Sequence, residues 1–338
     1  MAGVEGISRR GLLGAAGLAG VGALAAACGG GGGTSGRPSG GGSWAFTDDR
    51  GKRVARGAAP KRLVAYIGTA AALTDFGVGG KIVGVFGPTK GGDGRRDPLA
   101  GDVDIRKVAS LGSTFGEFNV EKYAELRPDL LVTHMFQKNV LWYVPDKSAA
   151  EIAKVAPSVG VTVAGVPLLH PIERYEALAA SLGADVKSGP VAAAKTRFQK
   201  ATKELRAAAK ANPDITVMAA SASPDALYVS DPKVYPDLTY YRRLGVRFVV
   251  PKADSQGFFE ALSWENADKY GADLILLDSR TQALQPKQLT GKPTWQGLPA
   301  VKAGQITPWL SEPRYSYAGC APFIESLAKA LRSARKVR

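Results

Sequence analysis

The sequence predicts an α/β fold of two lobes, each with a mainly parallel sheet flanked by helices. Short β-branched runs alternate with helical patterns such as 71–76 and 120–126, and this alternation is typical of a parallel sheet covered by helices. The alternation occurs twice, once before residue 168 and again after residue 213. The predicted strands are 63–67, 81–85, 129–132 and 161–163 in the first half, and 215–218, 248–250, 274–277 and 305–307 in the second.

One long helix is predicted between the lobes. Ser188 and Pro190 are start signals, Asn212 before a proline is a stop signal, and apolar residues recur every seven positions at Val191, Phe198 and Leu205. Such a helix spans roughly 36 Å and permits only small rocking of the lobes. We therefore expect an N-terminal lobe at 44–187, a connecting helix at 188–212 and a C-terminal lobe at 213–338.

The N-terminus is typical of an exported lipoprotein. Ser8-Arg9-Arg10 precedes an apolar stretch of small residues that ends in Leu24-Ala-Ala-Ala-Cys28, so we interpret 1–27 as a signal peptide of twin-arginine, lipoprotein type. Cys28 is the predicted lipidation site, which would anchor the protein on the outer face of the cytoplasmic membrane. Residues 28–43 are predicted to form a flexible linker, because nine of the fourteen residues from 29 to 42 are glycine.

Composition excludes several classes of function. The formal net charge is +14, but the basic residues are scattered singly, which argues against nucleic-acid binding and leaves an anionic envelope or ligand open. The only cysteines are Cys28 and Cys320, so a lipidated Cys28 leaves no intrachain disulfide. His134 and His170 lack partners at metal-ligand spacing, and no G-x-S-x-G motif occurs. We expect no catalytic residue, no bound metal of its own and no cofactor.

An internal repeat relates the two halves at a constant offset of 144 residues. In each copy a capping residue opens a short helix, a glutamate lies in its first turn, and an aspartate eight residues later begins a strand. The glutamates are Glu121 and Glu265. One interpretation is that each glutamate stabilises its helix through the helix dipole, by about 0.3–1 kcal/mol. The other is that the two glutamates are a pair of acidic contacts, one per lobe, for a partner with matching basic sites.

From about Trp44 onward the chain resembles the substrate-binding proteins of ABC importers that carry ferric siderophores, haem or cobalamin. The resemblance lies in Gly112, the Asn-Val-Glu at 119–121, the Leu-Arg-Pro-Asp-Leu at 126–130, the Ser-Trp-Glu at 263–265, and 293–304, which is most similar to ferric-hydroxamate binders. The resemblance implies a ligand cleft between the lobes and binding of permease arginines by Glu121 and Glu265, with Glu117 as a nearby alternative.

The resemblance also implies that loops after the strands line the cleft. Aromatic side chains suit the carbon periphery of a chelate, and an arginine suits its oxygens. The predicted ligand-binding residues are Tyr66, Phe115, Phe136, Tyr228, Phe258, Phe259, Trp309, Arg314, Tyr315 and Tyr317. Ferrichrome-type binders carry an arginine just before the turn found here at 114–117, and because this chain has none there, Arg314 is expected to supply the cation. Core packing is the alternative role for each aromatic residue.

These observations predict a monomeric extracytoplasmic binding protein that captures a ferric siderophore, of hydroxamate type, and delivers it to an ABC importer permease. Haem or cobalamin binding within the same family is one alternative, and catecholate or citrate chelates remain open because of the basic charge. A ligand-binding sensor or adaptor for a membrane receptor is another alternative. An enzyme is the weaker hypothesis.

Overall fold

The computed structural model describes residues 43–253 and 257–338. The predicted signal peptide, the lipidation site Cys28 and all but the last residue of the predicted linker lie outside these ranges. In the described part, an N-terminal hairpin of β1 (Trp44–Thr47) and β2 (Arg53–Arg56) precedes the first lobe. The two lobes that follow confirm the predicted fold class.

The first lobe is built on a five-stranded parallel sheet of strand order β5-β4-β3-β6-β7. Its strands are β3 (Leu63–Tyr66), β4 (Ile82–Phe86), β5 (Ala109–Ser110), β6 (Leu130–Met135) and β7 (Ser158–Thr162). Its helices are α1 (Ile67–Asp75), α2 (Val120–Glu125), α3 (Asp146–Val155) and α4 (Leu169–Ser181). The chain runs outward from β3 to β5 and then returns to the other side of β3 with β6. The strand order therefore reverses between β3 and β6, and ligands of open α/β sheets bind at such a point.

The connecting helix α5 spans Gly189–Ala211, with Ser188 and Asn212 as its caps. Val191, Phe198 and Leu205 are buried, as their seven-residue spacing requires. They pack in a continuous core with the C-terminal helix α9 (Tyr317–Ser333). A bidentate pair of Arg197 with Glu325, at 2.7 Å for both bonds, also joins α5 to α9.

The second lobe is built on a mixed sheet of order β11-β9-β8-β12-β13, with β10 also paired to β8. Strands β8, β10, β12 and β13 are parallel, whereas β9 and β11 are antiparallel to their partners. The elements are β8 (Thr216–Ala222), β9 (Ala226–Ser230), α6 (Pro236–Arg243), β10 (Arg247–Phe248), β11 (Phe259–Ser263), β12 (Leu274–Asp278), α7 (Pro293–Gly297), α8 (Pro299–Lys302) and β13 (Ile306–Trp309). Here the strand order reverses between β8 and β12.

In both lobes, the aspartate of the sequence repeat accepts hydrogen bonds from backbone N–H groups at the start of the neighbouring central strand. Asp129 accepts hydrogen bonds from the backbone N–H groups of Lys61 and Arg62 at 2.8 and 2.9 Å. Asp273 accepts one from the backbone N–H of Thr216 at 2.9 Å. Each carboxylate thus ties the start of its own strand to the start of the central strand beside it, which fixes the register on which the cleft depends.

Candidate functional site

The ends of the central strands meet a loop of the other lobe at the bottom of an inter-lobe cleft. Tyr66 is the last residue of β3, and its hydroxyl donates to Glu312 Oε2 at 2.8 Å. Trp142, in the loop after β6, donates its indole N–H to the same oxygen at 2.9 Å. Glu312 follows β13 of the second lobe, so this one carboxylate links both lobes.

Glu312 is buried but remains ionised. Burial alone would raise the pKa of its carboxyl group, but the charge of Arg280 and the hydrogen bonds it accepts lower that pKa to about 2. His134, on β6, lies 3.9 Å from Glu312 Oε2, which is too long for a hydrogen bond. Burial lowers the pKa of His134, so its imidazole is neutral at physiological pH and adds no cation to the cluster.

Arg280 is held in place by two buried carboxylates. Its Nε and Nη2 donate to Asp278 Oδ2 at 2.9 and 2.7 Å, and its Nη1 donates to Glu312 Oε1. Ser311 adds a bond to the same Asp278 oxygen at 3.0 Å. A guanidinium has five N–H donors, and these contacts use three of them. These contacts do not use the other two, and Arg280 borders both cavities.

Two adjoining cavities of about 200 and 310 Å³ lie around Arg280. The smaller is bounded by both lobes, and its lining includes Phe136, Gln137, Trp142, Phe258 and Glu312. The larger lies in the second lobe, with Ser221, Ser223, Tyr228, Ser230 and Gln282 in its lining. Four residues border both cavities: Tyr235, Phe259, Arg280 and Ser311. The site is therefore a largely aromatic cleft with one positioned cation, an arrangement suited to a ligand with an apolar periphery and exposed oxygen atoms.

A row of aromatic rings extends this surface across the first lobe. The Phe136 ring centroid lies 4.8 Å from that of Trp142 and 6.1 Å from that of Phe258 in the other lobe. Phe115 lies on the rim, with its ring 5.3 Å from Trp142 and 5.2 Å from Tyr143. The Phe115 side chain is 64% exposed, which is unusual for a large apolar residue and is consistent with a contact surface.

The structure brings six of the predicted ligand-binding residues to this region. Phe136, Tyr228, Phe258 and Phe259 border the cavities, Phe115 is at the rim, and Tyr66 lies beneath the floor through its bond to Glu312. Sequence reasoning missed Arg280, Trp142 and Glu312 as residues of the site. Arg280 follows the predicted strand 274–277 by three positions, so the expectation that loops after strands line the cleft could have identified it.

The other four predicted residues lie elsewhere. Trp309 is 1% exposed and donates its indole N–H to Asp237 at 2.6 Å. Tyr315 is equally buried, and Tyr317 begins α9 and donates to Glu176 at 3.0 Å. These side chains offer almost no surface to a ligand, although Ser311 and Glu312 of the same run border the cavities. For Trp309, Tyr315 and Tyr317 the structure thus gives the core-packing role.

Arg314 does not supply the cation of the cleft in this structure. Its guanidinium pairs with Asp75 at 3.3 Å and with Asp102 at 3.0 Å, both in the first lobe and neither in the lining of either cavity. The ligand-binding role of Arg314 stays a prediction: in this structure the cation beside the aromatic wall is Arg280, and Arg314 joins the second lobe to α1 and to the loop between β4 and β5.

Comparison with known proteins places the chain in a family. The sequence model described as periplasmic binding protein matches residues 64–313. The chain belongs to the periplasmic binding protein family. Membership of this family of binding proteins implies an extracytoplasmic location. No curated protein sequence matches the chain.

Solved structures of this family agree. DesE, a ferric-siderophore receptor protein from Streptomyces coelicolor, is 49% identical with a TM-score of 0.84, over 87% of this chain and 100% of that one. The petrobactin-binding protein YclQ from Bacillus subtilis is 19% identical with a TM-score of 0.63, over 86% and 99% of the two chains. FhuD from S. pseudintermedius is 22% identical with a TM-score of 0.58, over 86% and 99%. The last two share the fold, and DesE confirms the resemblance to siderophore-binding importer proteins.

The predicted docking glutamates of this family member are both exposed. Glu121 lies in the first turn of α2, which Asn119 caps by accepting the Lys122 N–H at 2.8 Å, and Glu265 lies in the 3₁₀ turn Trp264–Asn266. Glu117 instead accepts hydrogen bonds from the N–H groups of Ser113 and Thr114. The Glu117 carboxylate is thus engaged within its own turn, and so is that of Glu265, which accepts hydrogen bonds from Ser263 and from its own backbone N–H.

Residues 43–253 and 257–338 hold no group of three or more His, Cys, Asp or Glu side chains arranged to bind a metal ion. Within the same ranges, no helix has the length and apolar character that crossing a membrane requires.

Proposed function

We propose that this protein captures a ferric siderophore in the inter-lobe cleft and delivers it to the permease of an ABC importer. The observation that carries the proposal is the guanidinium of Arg280, held by Asp278 and Glu312 with two N–H groups left beside an aromatic wall. Such a fork can bind two ligand oxygens at once, while the rings cover the carbon framework. The similarity to DesE, a ferric-siderophore receptor protein, supports the same ligand class.

Within that class, the proposal favours a hydroxamate chelate. The oxygens of a ferric hydroxamate are arranged around the metal with an aliphatic chain outside them, which suits one bidentate donor and several aromatic faces. The stretch 293–304, which resembles ferric-hydroxamate binders, supports this choice.

Isothermal titration of the purified protein tests the proposal. A ferric trihydroxamate should bind 1:1, and the metal-free form of the same compound should bind more weakly, because iron has already removed the chain entropy that binding would otherwise cost. Haem, cobalamin and a ferric tricatecholate are the comparison ligands. Saturable binding of haem or cobalamin with no response to any ferric chelate would overturn the proposed ligand class.

Delivery to a permease rests on the two exposed glutamates. Glu121→Ala with Glu265→Ala should leave ligand affinity unchanged and abolish uptake, because each lost carboxylate leaves a permease arginine unpaired at a cost of about 2–5 kcal/mol. Glu125→Ala with Asp268→Ala is the matched control, since it removes two exposed charges from the same two segments. Normal uptake by the first double variant would show that docking occurs elsewhere.

Membrane attachment through Cys28 completes the proposed route, with a signal of twin-arginine type for export. Cys28→Ala should release a folded, ligand-binding protein from the membrane fraction, because the lipid anchor is lost and residues 43–338 are unchanged. Detergent-phase partitioning of the two forms measures this. Retention of the variant in the detergent phase would contradict the anchor.

A further inference from the structure

The charge at the floor of the cleft has the opposite sign to the charge of the whole chain. The protein carries a formal net charge of +14, but Arg280 faces two carboxylates, Asp278 and Glu312. This buried cluster therefore has one negative charge in excess. Water screens surface charges strongly, whereas charges removed from water act on a ligand with much less screening.

No other charged side chain lines the two cavities among the described residues. His134 is neutral, and Lys138, the cation that follows Gln137 in sequence, is exposed. The remaining lining combines uncharged polar side chains, such as Ser221 and Gln282, with the rings of Phe136 and Trp142. Aromatic faces carry negative partial charge and attract cations, so they add to the effect of the carboxylates.

We infer that the cleft selects ferric chelates of zero or positive net charge and excludes anionic ones, a conclusion that rests on the proposed siderophore binding. Three hydroxamates neutralise a ferric ion, whereas three catecholates leave a charge of minus three. A neutral chelate can accept the two remaining N–H groups of Arg280 through its oxygens. An anionic chelate would meet the charges of both Asp278 and Glu312, which the single charge of Arg280 only half compensates.

A series of three chelates with one iron-binding geometry isolates the charge. The probes are a linear ferric trihydroxamate with one pendant amine, its N-acetyl derivative and its N-succinyl derivative, with net charges of plus one, zero and minus one. Isothermal titration should give similar affinities for the first two. The succinyl form should bind at least about tenfold more weakly, the size of effect expected for one unit charge near 10 Å at an effective dielectric constant of about 20.

Charge variants then locate the source of the discrimination. Asp278→Asn removes the excess charge of the cluster and should bring the succinyl and acetyl affinities to within about threefold of each other. Asp104→Asn is the matched control, because it removes one carboxylate from an exposed pair with Arg106 and should leave the tenfold gap in place. Glu312→Gln provides a second test if Asp278→Asn fails to fold.

The outcomes separate the two proposals. If none of the three chelates binds, the proposed function itself fails. If all three bind and the succinyl form binds as tightly as the acetyl form, hydroxamate capture stands and the charge selection is overturned. A gap that disappears in 0.5 M salt, with Asp104→Asn acting like Asp278→Asn, would assign the discrimination to the protein surface and also contradict the inference.

Discussion

Arg280 and Arg314 each bridge two carboxylates, yet only Arg280 borders the ligand cleft. Both carboxylate partners of Arg280, Asp278 and Glu312, are buried. Arg314 pairs with the buried Asp75 and with Asp102, whose side chain is 76% exposed. In this structure the arginine held only by buried acids lies just after the central strand β12 and borders the cleft, whereas the one shared with an exposed acid joins two parts of the fold.

Removing the Arg280 guanidinium should have the largest effect. Arg280→Ala leaves Asp278 and Glu312 buried without a cation, which is expected to lower the free energy of unfolding by about 3–5 kcal/mol. Ferric chelate binding should also be lost, because no other cation lines the described cavities. Urea unfolding and isothermal titration measure the two effects.

Arg280→Lys is the control that separates charge from geometry. Lysine keeps the positive charge but not the planar fork, so stability should recover in part while ligand affinity stays low. If Arg280→Lys binds as tightly as the unaltered protein, the bidentate contact proposed for Arg280 is wrong and only its charge matters.

The pH dependence of stability should differ between two buried carboxylates: Glu312, which pairs with Arg280, and Asp237, which is hydrogen-bonded to the Trp309 indole. Asp237 is buried beside Trp309, and burial raises its pKa to about 7. The folded protein therefore holds a proton that the unfolded chain releases above its ordinary pKa near 4, so stability should fall by up to about 4 kcal/mol as the pH rises from about 4 to 7. Asp237→Asn should flatten this slope while keeping an acceptor for the Trp309 indole.

Glu312 should show the opposite sign. Its pKa is held at about 2, below the ordinary value, so its contribution is fully present above about pH 4.5 and is lost as the pH falls toward 2, by about 3 kcal/mol. Glu312→Gln removes that acid-side slope in urea unfolding between pH 2 and 5. If Asp237→Asn leaves the slope between pH 4 and 7 unchanged, Asp237 is ionised in the folded protein and the comparison fails.

The architecture was predictable because its signals are local. Alternating strand and helix patterns and the start and stop signals around 188–212 each depend on residues close in sequence. The observed helix Gly189–Ala211 agrees with the start signals Ser188 and Pro190, the stop signal Asn212 and the seven-residue apolar spacing. The antiparallel strands β9 and β11 were not predicted: β9 forms a hairpin with β8 through the short turn 223–225, a local signal that was missed, whereas β11 pairs with β9 across a longer interval of the chain.

The site was only partly predictable for the same reason. A run of aromatic residues such as 309–317 has no feature that tells whether its loop turns toward the cleft or beneath it. Trp309 is buried, and its indole N–H donates to Asp237, which lies 72 positions away in sequence. Glu312 is likewise defined by Tyr66 and Trp142 in the other lobe, so no local pattern marks it.

Arg314→Ala should lower stability and leave binding unchanged. Asp75 would lose its charge partner but keep its hydrogen bond from Ser316, and Asp102 is exposed, so the free energy of unfolding should fall by about 1–3 kcal/mol. Ligand affinity should match that of the unaltered protein, because Arg314 borders neither cavity. A large loss of affinity with no loss of stability would show that Arg314 contributes to ligand binding.

The smallest expected effect compares two tryptophans. Trp142 borders the smaller cavity and donates to Glu312 at 2.9 Å, so Trp142→Phe loses contact area and one charge-assisted hydrogen bond. Binding should weaken about three- to tenfold, since a single hydrogen bond contributes about 0.5–1.5 kcal/mol. Trp309→Phe loses an equivalent bond to Asp237 but is 1% exposed, so it should lower stability alone. If Trp309→Phe weakens binding more than Trp142→Phe does, the loop after β13 must reach the ligand when it binds.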